Sequence, residues 1–408
     1  MIGNRCVAAL LGVAALFAGI SLRAQTTHFV GGPTGLAEIY TATAIAQPGD
    51  VILVQPGDYG FFVVTAGVTI RAVVPGSVQV YAKPHQIPDP CGPGCYVGAV
   101  TRFSVPSGQS AHVVGLNFIG NQVVLASGVA IGSNVSVSGD ATFERCIFEA
   151  IDRTALAISL SQHVHLQQCV IRSIRSIGSA NAALAISNAN VTAVSCSVRA
   201  PDGVVTGPFP GLGASAIQIF LGRMHASGLT ATGGSVVGAA GGPAIDVRSA
   251  SMAWISDATL VAGDQGCAIG ASGSQVTFLE RAVLVETGSS CSTGVPLSRL
   301  MGVERVGALE LGQVFGVSFQ TAPAGWVGVW AATETASDSY GILSQWLWLD
   351  GASALPAALL LADGQGRASV SWTVPNVPAL RNQRLWFQGF AGQQLPLGTS
   401  PPVGGVVR

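Results

Sequence analysis

A four-residue motif recurs along the middle of the chain and constrains the fold more than any other feature. It reads Ala, then Leu or Ile, then any residue, then Ile or Val, and the weakest copy ends in Ala. Its second residue falls at Leu156, Leu184, Ile217, Ile245 and Ile269, at intervals of 28, 33, 28 and 24 residues. A second apolar position follows each copy by seven or eight residues, at Val164, Val191, Met224, Met252 and Val276.

This recurrence predicts a solenoid. Short strands of Val, Ile and Ala in alternation, separated by turns of Gly, Ser and Asn, are typical of solenoid coils. The same region lacks amphipathic helical periodicity and the leucine-rich consensus, and a propeller blade needs about 40 residues. We therefore predict an all-β chain whose body is a right-handed parallel β-helix, with the Leu and Ile positions in one interior file.

Three segments resemble coils of the pectin-lyase-like superfamily of right-handed parallel β-helices: GDVILVQPGDY (49–59), GVTIRAVV (67–74) and SQHVHLQQCVIRSI (161–174). The resemblance covers about residues 40–300. It implies a fold, not an activity, because enzymes, adhesins and structural proteins share this coil. The Asp-Asp pair and Gly-His-Gly motif of its polygalacturonase-like hydrolases do not occur here, carboxylates are sparse, and the single lysine is Lys83.

The two ends of the chain differ from the repeat region. The apolar stretch 6–22 follows Arg5 and precedes Ala24, which predicts a signal peptide over 1–24; an uncleaved anchor is the alternative. We predict a β-helix with an N-terminal cap over 25–302. Residues 303–408 hold six of seven tryptophans and predict a small antiparallel β-sandwich that covers the far end of the solenoid.

Composition narrows the possible partners and compartments. Only 10% of residues are charged, the formal net charge is -1 and there is no basic run, so a nucleic-acid partner is not expected. Nothing beyond residue 24 resembles a membrane span. We therefore expect export to the periplasm, the cell surface or the medium.

Seven cysteines follow the predicted cleavage site. Cys91 and Cys95 flank a short turn, and Cys267 and Cys291 are separated by 24 residues, the length of the shortest coil, so each pair is a candidate disulfide. Cys146, Cys169 and Cys196 occupy equivalent positions and cannot all pair with each other. A buried stack of thiols is favoured there, and the spacing of the cysteines does not suggest zinc or any other metal.

Charged residues also align when the coils are superposed on those three cysteines. Three residues on lie Glu149, Arg172 and Arg199, and six residues on lie Asp152, Arg175 and Asp202. One interpretation is a groove that binds an acidic polysaccharide, in which arginines engage carboxylates. The favoured interpretation is a surface ladder of salt bridges with little net effect on stability.

Aromatic and imidazole side chains are further candidates for a binding site. Trp346 and Trp348 lie on one strand face and could stack on sugar rings, although a sandwich core is favoured. His163, His165 and His225 are expected to be strand residues that face solvent.

Two functions remain open. The favoured one is a secreted or cell-surface β-helix without catalytic activity that binds carbohydrate or surface partners and needs no cofactor. The alternative is an enzyme that acts on an acidic polysaccharide. It would be either a polysaccharide lyase, for which calcium is the candidate cofactor, or a glycoside hydrolase. An outward cluster of three carboxylates with a nearby basic group would favour the enzyme.

Overall fold

The structure is a computed structural model. It describes residues 25–81, 101–120, 123–124, 130–131, 135–151, 154–177, 181–204, 213–236, 240–272, 276–286, 288, 291, 295–296, 300–338, 340–343, 345–392 and 395–408. The described chain is almost entirely β-structure: a right-handed parallel β-helix followed by antiparallel sheets. The predicted fold class is confirmed. No helix among these residues has the length and apolar character needed to cross a membrane.

Three long parallel sheets form the walls of the solenoid. Sheet A contains, in spatial order, β1 (Thr27–Val30), β2 (Val51–Val54), β5 (Thr69–Ala72), β8 (Ser110–Val114), β13 (Asp140–Glu144), β16 (Val164–Gln167), β20 (Asn190–Val194), β24 (Arg223–Ser227), β27 (Met252–Ser256), β30 (Val276–Glu280) and β32 (Val295–Pro296). Sheet B contains β3 (Gly57–Tyr59), β6 (Val78–Tyr81), β9 (Leu116–Ile119), β14 (Ile147–Ala150), β17 (Val170–Ser173), β21 (Ser197–Arg199), β25 (Thr230–Thr232), β28 (Thr259–Val261) and β31 (Val283–Val285). Sheet C contains β4 (Val63–Val64), β7 (Thr101–Ser104), β12 (Val135–Ser138), β15 (Leu156–Ser159), β19 (Leu184–Ser187), β23 (Ile217–Phe220), β26 (Ile245–Arg248) and β29 (Ile269–Ser272).

The motif that predicted the fold forms one file inside sheet C. Leu156 pairs with Leu184, and the register continues through Ile217 and Ile245 to Ile269. All five side chains are buried in the solenoid core. The predicted interior file is confirmed, and each coil therefore buries the apolar face of its neighbour.

The second predicted file is correct for three coils and wrong for the last two. Val164, Val191 and Met224 are in register, but the file continues through Ala253 and Thr277 rather than Met252 and Val276. The turn before β27 contains two residues with left-handed backbone, Ser249 and Ala250, where the earlier coil has one. This extra residue moves the strand by one position and turns Met252 outward, where it is 39% exposed.

Single residues with left-handed backbone make the sharp corners. Each sheet A strand from β8 to β30 is followed by one: Gly115, Arg145, Gln168, Ser195, Gly228, Asp257 and Arg281. Glycine adopts this conformation without strain, whereas for other residues it costs about 1 kcal/mol or more of free energy. The continuous backbone ladder on both sides holds the non-glycine residues in place.

The N-terminal end of the solenoid is covered by a short helix. α1 (Ile39–Ile45) follows β1 and packs against β2 and β4. Its buried residues Ile39 and Ala42 join the solenoid core. The first coil therefore does not expose its apolar interior at this end.

The C-terminal antiparallel sheets begin at residue 302. Sheet D contains β33 (Gly302–Val306), β34 (Val314–Gln320) and β39 (Arg367–Thr373), and sheet E contains β38 (Leu355–Leu361), β35 (Trp326–Ala332) and β40 (Arg384–Ala391), which also pairs with β41 (Gly398–Thr399) and β42 (Val403–Val406). Phe315 of sheet D stacks on Phe387 of sheet E at 5.2 Å between ring centroids, in a core that both sheets share. We call this unit the sandwich. The remaining short elements are β10 (Val123–Val124) with β11 (Ala130–Ile131), β18 (Arg175–Ile177) with β22 (Asp202–Val204), β36 (Thr335–Asp338) with β37 (Leu347–Leu349), and a 3-10 turn at Pro378–Leu380.

The sandwich lies along the side of the solenoid, which corrects the expectation that it covers the far end. Its contacts run along the outer face of sheet A, from Ser110 to Arg281. The outward side chain of Val194 in sheet A packs into the sandwich core itself. The sandwich therefore buries outward polar side chains of sheet A, among them Thr142 and His165.

The described cysteines form one disulfide and one stack of thiols. Cys267 and Cys291 are bonded, as predicted, with 5.2 Å between their Cα atoms. Cys146, Cys169 and Cys196 are free and buried, and each thiol donates to a carbonyl of the preceding coil. Burial raises the pKa of Cys169 and of Cys196. Cys91 and Cys95 lie outside the described residues.

Removing the disulfide should loosen the last coils. The pair Cys267→Ser and Cys291→Ser is expected to lower the free energy of unfolding by about 3 kcal/mol, because the unfolded chain regains the freedom of a loop of 24 residues. Thermal unfolding with and without reductant measures the effect. Reductant should shift the midpoint of the wild type and leave the double variant unchanged; equal midpoints for the two proteins would contradict the expectation.

Candidate functional site

The predicted column of charges lies on the outer face of sheet B. Glu149, Arg172 and Arg199 occupy one register position on three neighbouring strands. Nε of Arg172 donates to Oε2 of Glu149 at 2.6 Å, and Arg199 lies 3.4 Å from Oδ2 of Asp202. Because both arginines are more than half exposed, each pair contributes little to stability.

The second row of charges is described only in part. β18 pairs with β22 so that Arg175 and Asp202 share a register position, and Oδ1 of Asp202 accepts from the backbone of Ser235. Asp152 lies outside the described residues. Among the described residues from 147 to 202 the carboxylates are Glu149 on sheet B and Asp202 on β22, and both are paired with arginines.

The outer face of sheet A carries a column that alternates histidine and threonine. The column, here called the histidine ladder, consists of His112, Thr142, His165, Thr192 and His225, in register on five consecutive strands. All five are buried. Strands are about 4.8 Å apart, so successive histidines lie about 10 Å apart.

The expectation that the histidines face solvent is therefore wrong. Strand alternation turns His165 and His225 away from the solenoid core, but the sandwich covers the surface they reach. Burial lowers the pKa of both imidazoles to about 3. His163 precedes β16 and is also buried, with its Nδ1 3.1 Å from Oδ2 of Asp140.

A buried ion cluster lies beside the ladder. Oε1 of Glu144 accepts from Arg305 at 2.7 Å, and the guanidinium of Arg408 binds the same oxygen. Burial by itself would raise the pKa of Glu144, but His112 and the two guanidiniums hold it well below its usual range. β42 approaches closely because Gly405 has no side chain; a Cβ there would lie 2.9 Å from Oε2 of Glu144. This cluster attaches the sandwich to the solenoid.

The two tryptophans predicted as a possible sugar platform lie against the solenoid. Trp348 is fully buried, and its indole N–H donates to Nδ1 of His225 at 3.3 Å. The guanidinium carbon of Arg223 lies 4.3 Å from the ring centroid of Trp346. Trp348 has no face left for a sugar, and one face of Trp346 is occupied by an arginine.

Exposed aromatic side chains cluster instead on the outer face of sheet E. They line a cleft of about 500 Å³, here called the aromatic cleft. Trp326, Trp330 and Tyr340 are 55%, 41% and 44% exposed. Trp330 packs edge-on against Phe390, with 6.0 Å between ring centroids, which fixes its orientation. The remaining lining is apolar or glycine: Gly328, Ile342, Leu343, Leu347, Gly351, Leu359, Gly392 and Leu397.

The local sequence explains why these rings face outward. In β35 the valines at 327 and 329 are fully buried, so Trp326, Gly328 and Trp330 point to the opposite face. Gly328 leaves space between the two indoles. A side chain at Gly351 would meet the hydroxyl of Tyr340 at 3.3 Å, so glycine there keeps that hydroxyl accessible. The alternation in WVGVWAA was the signal that the sequence-based interpretation missed.

A second cleft, of about 600 Å³, separates the N-terminal coils from the sandwich and is polar. Its three carboxylates already have partners. Asp140 binds His163, Glu334 lies 3.3 Å from Arg384, and Asp350 accepts from the backbone of Ser353. No group of three or more metal-ligating side chains occurs among the residues that the structure describes.

Comparison with known proteins finds two solved structures that are weakly similar to this chain. No family model and no curated protein matches the chain. A pectate lyase, Pel9A, is similar in structure with a TM-score of 0.38 and 14% identity, over 68% of this chain and 80% of that one. A pectin methylesterase crystallised with a hexasaccharide has a TM-score of 0.37 and 12% identity, over 67% of this chain and 94% of that one.

Proposed function

We propose that this protein is a non-catalytic, exported β-helix that binds carbohydrate through the aromatic cleft of its sandwich. The observation that carries the proposal is the group of three exposed aromatic rings, Trp326, Trp330 and Tyr340, around one concavity. The apolar faces of pyranose rings match flat aromatic faces, and rings held rigidly lose little conformational entropy on binding. The disulfide supports an oxidising compartment.

The chemistry of the cleft favours a neutral glycan. Its described lining contains no charged side chain, so the carboxylate of a uronic acid would find no partner there. The hydroxyl of Tyr340 and the backbone at Gly351 and Gly392 supply the polar groups at its rim. A polysaccharide bound in this way would lie across the outer face of sheet E, away from the solenoid.

The alternative of an acidic polysaccharide rests on a different surface. Arg172 and Arg199 are exposed on sheet B and could exchange their present partners for carboxylates of a ligand. Such binding would weaken with salt, whereas stacking in the aromatic cleft would not. Salt dependence therefore separates the two surfaces.

Binding to a panel of neutral and uronic-acid polysaccharides tests the proposal. Isothermal titration of the Trp330→Ala variant is expected to show about 10-fold weaker binding to any neutral glycan that the wild type binds, since a lost ring contact costs about 1–1.5 kcal/mol. Trp326→Ala should behave similarly. Phe220→Ala removes an aromatic ring that is 43% exposed on sheet C and is the matched control.

Three results would count against the proposal. Glycan affinity that is unchanged in Trp330→Ala would exclude the cleft. Binding to uronic-acid polymers alone, abolished by salt, would favour sheet B. Unsaturated product in the ultraviolet spectrum, with or without calcium, would identify a lyase.

A further inference from the structure

The interface between sheet A and the sandwich is polar and contains three histidines that water does not reach. His112 and His225 are 1% and 0% exposed, and His165 is 3% exposed. Within the described part of the chain, Nε2 of all three imidazoles has no hydrogen-bond partner. A permanent interface would normally satisfy or replace such groups.

We propose that this interface is an acid-sensitive latch: when the ladder histidines take up protons, the sandwich separates from sheet A while the solenoid stays folded. The separated form would present an outward polar face that includes the histidine ladder, Glu144 and Gln167. This inference concerns the interface alone and does not depend on the aromatic cleft.

The geometry around His225 requires a neutral imidazole. The indole N–H of Trp348 points at Nδ1 of His225, so this nitrogen acts as the acceptor. A proton on Nδ1 of His225 would face the indole N–H of Trp348, so that two hydrogen-bond donors would oppose each other. The ring centroid of His225 lies 6.4 Å from those of Trp254 and Trp348, and among the described residues no charged side chain contacts His225 to stabilise a cation. Arg223, on the same strand, covers Trp346 and adds positive charge nearby.

His165 is held in a similar environment. Its Nδ1 bonds the hydroxyl of Thr192, and its ring lies 4.7 Å from that of Trp386 in β40. The charged or titratable groups that act on it are His163, His112 and Asp140. The carboxylate of Asp140 is already bonded to His163, so it is a weak counter-ion for a second cation.

His112 is the member of the ladder with a carboxylate nearby. Its Nε2 lies 3.8 Å from Oε2 of Glu144, longer than a hydrogen bond. Glu144 is shared with three guanidiniums, those of Arg145, Arg305 and Arg408, and Arg384 of β40 also acts on His112. A proton on His112 would add a further positive charge to a cluster that already holds one carboxylate against three arginines.

The direction of the pH dependence follows from burial. Burial lowers the pKa of all three ladder histidines, to about 3 for His165 and His225, whereas an exposed imidazole titrates near 6.5. Opening therefore takes up protons below about pH 6.5, and the closed form is favoured above that pH. Each histidine multiplies the open population by up to about 10 for every pH unit below 6.5.

Hydrogen exchange of the full chain, followed by mass spectrometry between pH 8 and pH 4, tests the latch. After correction for intrinsic rates, protection in β40 and β42 should fall steeply below about pH 6.5, while β19 and β23 in sheet C stay protected. His225→Asn replaces the acceptor for Trp348 with an amide oxygen that does not titrate. With one titrating histidine fewer, the increase of the open population for each pH unit below 6.5 should be smaller by a factor of up to about 10.

His28→Asn is the matched control, because His28 pairs with Asp50 on the first coils and is not a member of the histidine ladder. It should leave the opening profile unchanged. His165→Gln provides a second test if His225→Asn does not fold. Three results would overturn the proposal. They are full protection of β40 at pH 4, simultaneous loss of protection in the sandwich and the solenoid, and identical exchange profiles in the wild type and the ladder variants.

Discussion

Replacing Glu144 with glutamine is expected to destabilise the attachment of the sandwich by about 3 kcal/mol or more, because it leaves two guanidiniums without their carboxylate in a buried site. The side chains of Glu144 and Arg305 are 2% and 3% exposed, and that of Arg408 is 14% exposed. The loss should appear at pH 8 as faster hydrogen exchange in β42 and as a lower unfolding temperature.

Glu149→Gln is the matched control for this experiment. It removes a carboxylate that also binds an arginine, but Arg172 is 52% exposed and solvent can replace the contact. The expected change is below about 1 kcal/mol. If both variants lost the same stability, the buried cluster would have no special role in holding the two units together.

Phe143→Ala should be the most damaging single change inside the solenoid, at about 3–5 kcal/mol. The ring of Phe143 lies 5.1 Å from that of Phe103 and 5.2 Å from that of Phe148, and all three are fully buried. Removing the central ring leaves a cavity that the backbone ladders on both sides prevent from collapsing. Chemical denaturation followed by circular dichroism measures the loss.

The control for this cavity is Phe220→Ala, an outward phenylalanine in sheet C that is 43% exposed. A change of about 0.5 kcal/mol or less is expected there. Hydrogen exchange should further show that the Phe143 variant loses protection first in β12 to β15, since each coil contacts only its neighbours. Uniform loss along all coils would contradict this nearest-neighbour behaviour.

Sequence alone predicted the repeat and most of its register. The file from Leu156 to Ile245 follows from period-two alternation and fixed spacing, which the backbone of a β-helix enforces directly. The predicted register was wrong at Met252 because a turn can contain one more left-handed residue without a change in the composition around it. Turn length is decided by backbone geometry, which a single Ser-Ala pair does not reveal.

The covered face of sheet A could not be predicted from alternation. That pattern separates inward from outward positions, and it correctly placed His165 and His225 outward. Whether an outward position meets water depends on a second unit more than a hundred residues further along the chain. The same holds for Trp348 in the sandwich. Its side chain is buried where it contacts His225 of the solenoid, which its own strand does not reveal.

The side-on position of the sandwich has a consequence for how this chain can change length. A bare solenoid tolerates the gain or loss of a whole coil, because every junction is equivalent. Here Arg305 reaches Glu144 in β13 while Trp348 reaches His225 in β24, three rungs or about 14 Å away. The sandwich therefore fixes the number of coils between those two rungs, because the deletion of one coil there would offset one anchor by about 4.8 Å.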